Sequence, residues 1–591
     1  MGRFLTGASN YDKRPFVPVL GFENACWSGW ENIAAQIKKH CSSITKQKLI
    51  IIAECYLGIN NDELISWISL ALSTNKVWLA ANVMKPAEEI DSMVGPDVTD
   101  DEVFGYLTRL DIKDFFDNEK LFSARNAIEE TEEGIILVYG TGASLMAEAD
   151  ILIYADMPRG EGQLRFRRNE VSNLGVENRT QKASLQYKRA FFVDWRVCDK
   201  LKKTLMNKWD YVLDTVTAGK PKMATGEAVQ GALSQVVTQP FRVVPFFDPG
   251  PWGGQWMKEV FNLDQSEINY AWCFDCVPEE NSLLLRFGNI DFETPSINLV
   301  FFKPLELLGQ PVYEHFGAEF PIRFDFLDTV DGGNLSLQVH PTTEYIREKF
   351  GMHYTQEESY YMLEAMDDAC VYLGFKEDIE PHLMIKELHE AKKIGEFNAE
   401  KYVEKWPVKK HDHILIPPGT IHCSGRNGMV LEISATPYIF TFKLWDWGRM
   451  GLDGKPRPIN IEHGKNVLNW KQTSSLTKKN LINKIEKIDE GDGWIEERTG
   501  LADNEFIETR RHWFSKPVHH YTKGIVNVLN LVEGREVIVE SPTDLFKPYV
   551  IHYAETFIIP AAIEEYTIKP WGESEGMQCA TIKAFVKTQH N

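Results

Sequence analysis

Ser336-Leu337-Gln338-Val339-His340-Pro341 is the stretch from which this chain can be read. Side chains of a strand alternate faces with a period of two. Ser336, Gln338 and His340 therefore share one face, while Leu337 and Val339 point the other way, into a core. A Gln and a His projecting together offer an amide oxygen and an imidazole nitrogen, half of a metal-ligand set. The other half lies downstream, at Glu358 in Glu357-Glu358-Ser359-Tyr360-Tyr361 and at His422 in Ile416-Pro417-Pro418-Gly419-Thr420-Ile421-His422.

The order Gln-x-His, then Glu, then Pro-Pro-Gly-Thr-x-His resembles the type I mannose-6-phosphate isomerases, from about Pro251-Trp252-Gly253-Gly254 to the C-terminus. That resemblance implies a cupin barrel holding Zn2+ through Gln338, His340, Glu358 and His422, and a hexose phosphate as substrate. Its aldose and ketose forms, mannose 6-phosphate and fructose 6-phosphate, would interconvert through a cis-enediol. The donor set suits zinc first, with iron, manganese, cobalt or nickel also able to occupy it. Trp445-Asp446-Trp447-Gly448-Arg449 resembles the family's aromatic-Asp-aromatic-x-Arg, making Arg449 the expected catalytic arginine, with Lys455 six residues on to hold the same anion. Glu432, in Val430-Leu431-Glu432-Ile433, matches an active-site carboxylate, and Ser336 is expected against the substrate or its phosphate.

Two positions depart from the family pattern. Gln356 faces the pocket where many members carry Lys two residues before the metal Glu, and an amide cannot transfer a proton as an amine can. Glu357 does not repair this, because it points to the opposite face. Asp325 stands in place of a second lysine, and Arg323, two residues earlier on the same face, can restore the lost positive charge. Two rival readings remain: an isomerase for another sugar, and a catalytically silent metal- and sugar-binding regulatory protein.

A chain of 591 residues is too long for one core. With 43% hydrophobic and 25% charged residues it has the composition of an ordinary globular protein. A net charge of −21 argues against nucleic acid or an anionic membrane surface as partner, so a phosphorylated substrate needs a locally basic pocket. The N-terminus lacks the pattern of a signal peptide and no long apolar run is present, which leads to an expectation of cytoplasmic residence. Nine scattered cysteines fit reduced thiols, and the Cys273-x-x-Cys276 pair, with no second pair at zinc-ribbon spacing, reads as structural.

Residues 1–216 alternate apolar runs with helical stretches, as an open α/β domain does. Strands are expected at Lys48–Ala53, Lys76–Ala80, Gly134–Tyr139 and Asp150–Ala155, and helices at Asp62–Leu72 and, with an interruption, Gln181–Leu205. The layout, with its Arg159-Gly-Glu-Gly-Gln-Leu-Arg165-Phe-Arg167-Arg168 cluster, resembles nucleoside- or uridine-kinase-like domains. After the first strand, however, Glu54-Cys-Tyr-Leu-Gly-Ile-Asn-Asn61 lacks the Gly-Lys-Ser/Thr that cradles phosphate, so phosphotransfer is not expected. Residues 217–239 read as a linker. Residues 240–447 read as the metal-binding barrel, with strands at Leu283–Phe287, Ile297–Phe302 and Ile322–Leu327 and a helical insertion near 378–402. Residues 448–591 read as a connector followed from Thr509 by a second, metal-free barrel. There Ala562 and Ile563 replace Gly-Thr-x-His after the strand-then-Pro phrase. The expected fold is thus multidomain, α/β followed by two jelly rolls.

Overall fold

The computed structural model describes residues 4, 8–72, 74–435, 439–450, 457–500 and 505–588. It divides into two compact units, neither continuous in sequence. Phe16–Val236 with Pro278–Lys303 form one, and Met1–Pro15, Val237–Val277 and Pro304–Asn591 form the other.

The α/β unit is built on a parallel sheet. Lys76–Leu79, Gly134–Gly140, Lys48–Cys55, Ile151–Asp156 and Tyr211–Asp214 lie side by side in that order. Their central residues, among them Ile51, Ala53, Leu137, Val138, Ile153 and Ala155, are fully buried, as expected of strands covered on both faces. The helix Asn61–Leu72 and a helical run from Ala183 to Leu205, with a widened turn at Ala190–Asp194, fall where the sequence places them.

Three expectations give way here. The stretch 217–239 is not a bare linker: Lys222–Thr225 extends the sheet antiparallel to Tyr211–Asp214, and the helix Gly226–Val236 buries Ala228, Val229, Ala232 and Leu233. Small side chains that suggest a flexible connector also let a helix pack closely. The apolar run Ile297–Phe302 is a helix rather than a strand, because a short apolar run fits either element until its neighbours decide. The strand Ser282–Phe287 pairs with Ile290–Pro295 and Phe16–Val19 inside the α/β unit rather than in a barrel.

The other unit contains two pairs of antiparallel sheets. In the first pair, six strands run in the order His413–Ile416, Glu358–Ala365, Gly428–Ser434, Arg323–Asp328, Trp272–Cys276 and Phe246–Asp248. They face five strands ordered Val403–Pro407, Cys370–Phe375, His422–Ser424, Leu337–Val339 and Phe442–Trp445. The expected insertion appears as the helix Pro381–Ile394. In the second pair, six strands (Glu486–Gly491, Trp494–Arg498, Ile507–Phe514, Cys579–Val586, Asn527–Glu533, Thr556–Ile559) face four (Val518–Tyr521, Glu565–Pro570, Glu536–Glu540, Tyr549–His552). Leu529, Leu531, Val537, Phe557, Ile568 and Cys579 form the core between them. This pair begins at Glu486, ahead of the expected Thr509, and the connector before it holds the helices Ile461–Val467 and Ser474–Asn480.

All nine cysteines are buried and unpaired, Cys273 and Cys276 sharing one strand. Among the described residues, no helix is long and apolar enough to cross a membrane.

Candidate metal centre

Register in the first pair of sheets decides which side chains meet. Directly opposed residues on neighbouring antiparallel strands point to the same face. Arg323, Ser434 and Glu358 form one such row, and Asp325, Glu432 and Tyr360 the next. On the facing sheet Gln338 lies opposite His422 on one side and Lys443 on the other. The two faces meet where His340 Nε2 touches Glu358 Oε2, with His422 Nε2 3.5 Å from the same oxygen. Ligand atoms of His340, Glu358 and His422 all lie within 4.8 Å of one another, and these three side chains are essentially inaccessible to solvent.

The second atoms of these ligands are held from behind. His422 Nδ1 lies 2.9 Å from Thr420 O and His340 Nδ1 3.3 Å from Phe440 O, so each ring donates outward and turns Nε2 into the site. Gln338 Nε2 is 3.3 Å from His422 Nε2; rotating the amide by half a turn presents its oxygen at the same point. Glu358 Oε1 is buried with no hydrogen-bond partner. Burial alone would raise the Glu358 carboxyl, but the charges of His340 and His422 hold it well below the usual carboxylate range. Two imidazoles fixed in one tautomer, an ionised carboxylate with an orphaned oxygen and an amide match the donor set of a zinc-type cation.

Beside the ligands sits a second acid. Gln356 Nε2 is 3.3 Å from both Glu358 Oε2 and Glu432 Oε1. Burial, followed by the charges of Glu358 and Asp325, pushes Glu432 well above the ordinary range, so this carboxyl retains its proton where Glu358 does not. Arg323 shares the face of Glu358, but its Nη1 donates to Ala435 O within the wall. Glu357 lies on the other face, accepting from Phe506 N.

Ser336 and Arg449 belong to a neighbouring cluster. Ser336 Oγ donates to Asp446 Oδ1 (2.8 Å), Arg449 binds the same oxygen through Nε and Nη2, and Arg457 Nη1 binds Oδ2 at 2.8 Å. Arg449 Nη1 also donates to Asn334 O. Lys455 lies outside the described residues.

The sequence reading missed Lys443. It is half-buried, shares the face of Gln338, and its Nζ has no hydrogen-bond or ion-pair partner. Burial, reinforced by Arg457 and Arg449 against the pull of Asp446, brings its ammonium down to about 8. The signal was the alternation Lys443-x-Trp445 on the strand leading into Asp446, readable only once that strand is known to lie beside Gln338.

Part of the chain is similar to known proteins. "Probable mannose-6-phosphate isomerase GmuF" of Bacillus subtilis is 25% identical over 235 residues, 39% of this chain and 69% of its own length. The mannose-6-phosphate isomerase of Streptococcus mutans is 25% identical over 228 residues, 38% of this chain and 66% of its own. This chain is similar to mannose-6-phosphate isomerases over about two fifths of its length. The similarity spans about two thirds of the length of those relatives. The crystal structure of the Bacillus subtilis mannose 6-phosphate isomerase aligns over 58% of this chain and 99% of its own, with 18% identity and a TM-score of 0.47. Residues 29–238 match a different family, described as a domain of unknown function, DUF8485.

Proposed function

We propose that this protein is a metal-dependent aldose–ketose isomerase that interconverts mannose 6-phosphate and fructose 6-phosphate through a cis-enediol, on the first of two cupin barrels. What carries the reading is the side-by-side placement of an ionised carboxylate between two oriented histidines and a second, protonated carboxyl bridged to it by Gln356.

A divalent cation, zinc first, held by His340, Glu358, His422 and the Gln338 amide supplies an electrophile for the negative charge that develops on the sugar oxygens as a carbon-bound proton leaves. In its ionised form Glu432 would take that proton from one carbon and, now protonated, return it to the neighbouring one. A carboxyl raised by its surroundings is matched to this task, since a base of ordinary carboxylate strength would be too weak near neutrality. Gln356 positions Glu432 by its hydrogen bond. Arg449, Arg457 and Lys443, with Asp446 holding the two guanidiniums, form the basic end that receives the phosphate, with Ser336 beside it. Lys455 and Arg323 complete the expected substrate contacts.

One observation favours a second reading. An amide, Gln356, rather than an amine contacts Glu358 and Glu432, which suits an isomerase whose substrate is another sugar phosphate. Assaying the metal-analysed protein against mannose 6-phosphate, other hexose 6-phosphates and free mannose tests both. Turnover of mannose 6-phosphate alone supports the first, turnover of a different hexose phosphate the second, and no turnover in metal-loaded protein defeats both.

A further inference from the structure

The second pair of sheets has an apolar core at one end and charged groups at the other. Along the strand Ile507–Phe514, inward positions run Phe514, His512, Arg510 and Glu508, because Phe514 belongs to the core and faces alternate. Opposite them on Cys579–Val586 stand Cys579, Thr581, Lys583 and Phe585 in register. From the facing sheet His520, paired with Tyr566, reaches across: its ring lies 4.5 Å from that of His512 and is stacked at 5.0 Å on Tyr566.

The acids in this end are already committed. Glu496 pairs with Arg510 at 3.0 Å and His512 at 3.4 Å, and Glu508 with Arg498 and Arg510 at 3.2 Å each. The remaining polar side chains are not matched by hydrogen bonds, although the Lys583 ammonium lies 5.6 Å from the Phe585 ring centre. His512 Nδ1, His520 Nε2 and Thr581 Oγ1 are buried with no partner, and Lys583, 7% exposed, has neither a hydrogen bond nor an ion pair. Burial pushes His512 down to about 4 and Lys583 to about 8, with Arg510 adding to the depression at both. Buried donors without partners cost free energy, and folded proteins rarely leave several in one place unless something else satisfies them. Among the described residues the group of His, Cys, Asp and Glu side chains that converges as a metal set is His340, Glu358 and His422, so the His512 cluster does not call for a metal.

We propose that the second barrel, which lacks the metal ligands of the first, contains a small-oxyanion site in which Lys583, His512, His520 and Thr581 receive a phosphate group. The site is separate from the proposed active site and does not depend on the isomerase reading. An ammonium, a hydroxyl and two imidazoles that take up a proton together with the anion, facing inward from two sheets, supply the donors that a tetrahedral oxyanion needs.

The test is calorimetric titration of the full-length, metal-loaded protein with inorganic phosphate. Saturable binding is expected in a Lys443→Met background, which weakens any contribution of the proposed active site; there it should fall about tenfold or more with Lys583→Met and be restored largely by Lys583→Arg. If Lys583→Met does not fold, as judged by circular dichroism, the pair His512→Gln and His520→Gln serves in its place, with the same loss expected. Absence of phosphate binding in the wild type means that water fills the site and overturns the proposal. So does absence of binding in Lys443→Met, or binding there that survives Lys583→Met and the histidine pair.

Discussion

Glu432→Gln separates catalytic from structural roles because it moves activity and stability in opposite directions. The substitution is isosteric and leaves an oxygen to accept from Gln356, so the wall of the site keeps its geometry. Loss of a general acid–base typically lowers turnover by about 10²–10⁴-fold. At 1.36 kcal/mol per decade this is roughly 3–5 kcal/mol on the barrier. Stability moves the other way. Burial and the charges of Glu358 and Asp325 raise Glu432 in the folded state, so the folded protein holds this proton over a range where the unfolded chain has released it. The favourable contribution of the neutral carboxyl is complete below the unfolded value of about 4.3 and is lost as pH rises toward the folded value. Gln cannot ionise, so the metal-free variant should match the wild type near pH 4 and exceed it increasingly toward pH 8. Initial-rate kinetics on metal-loaded protein and denaturant melts of the metal-free protein across that range measure both. Turnover within threefold of wild type, or a variant less stable at pH 8 than wild type, would refute the role and environment assigned to Glu432.

His340→Ala combined with His422→Ala should abolish stoichiometric divalent metal in elemental analysis; retention of metal by the double variant would remove the assigned centre. Adding zinc at a hundred times its dissociation constant should stabilise the wild type by about 2.7 kcal/mol and the double variant not at all, read as a shift in melting temperature. Lys443→Met should raise KM for a hexose phosphate about tenfold or more while kcat and metal content hold, as expected for a lost charge-assisted hydrogen bond worth about 1.5–3 kcal/mol; an unchanged KM contradicts its place in the basic cluster. Purified full-length protein should consume no ATP with sugars or nucleosides, and substrate-dependent ATP consumption that co-purifies with it would defeat that expectation.

The candidate metal ligands could be singled out because each sits in a local phrase whose period-two spacing fixes its face. Gln338 and His340 need only the strand rule to be placed together, and Glu358 and His422 follow in strand contexts of their own. What the sequence could not show is which strands lie side by side. Lys443 became a site residue only through its register with Gln338, and the pairing of Ser336 with Asp446 spans 110 residues. Four of the five parallel strands of the α/β unit were visible as continuous apolar runs, Tyr211–Asp214 being the exception, whereas Ile297–Phe302, equally apolar, is a helix whose Asn298 amide binds Asp156, a partner far upstream. The second barrel was read by the ligands it lacks. Its unpartnered polar side chains are dispersed over Ile507–Phe514, Val518–Tyr521 and Cys579–Val586 and carry no local phrase.

The same limit explains the arginine cluster of the α/β unit, where residue type suggests phosphate and the structure shows how Arg159 and Arg165 are used. In a parallel sheet with this strand order, ligands bind beyond the carboxyl ends of the strands where the order reverses, here around Lys48–Cys55 and its neighbours. Those ends are closed by the chain's own groups. The amides of Gly142 and Ser144, which would face an anion, donate instead to the Glu54 carboxylate at 2.6 and 2.8 Å, and burial raises that acid to about 7. Arg159 pairs with Asp199, which also accepts from Tyr56. Arg165 binds Glu161 and the carbonyls of Gly58 and Thr215, and Lys202 binds Asp156 and Asn298. A phosphate entering here would have to break buried ion pairs, each of which leaves an unpaired charge worth about 3–5 kcal/mol when one partner is removed. The crevice that a phosphotransferase keeps open is therefore filled with internal salt bridges, which accounts for basic residues at this position without a loop that cradles phosphate.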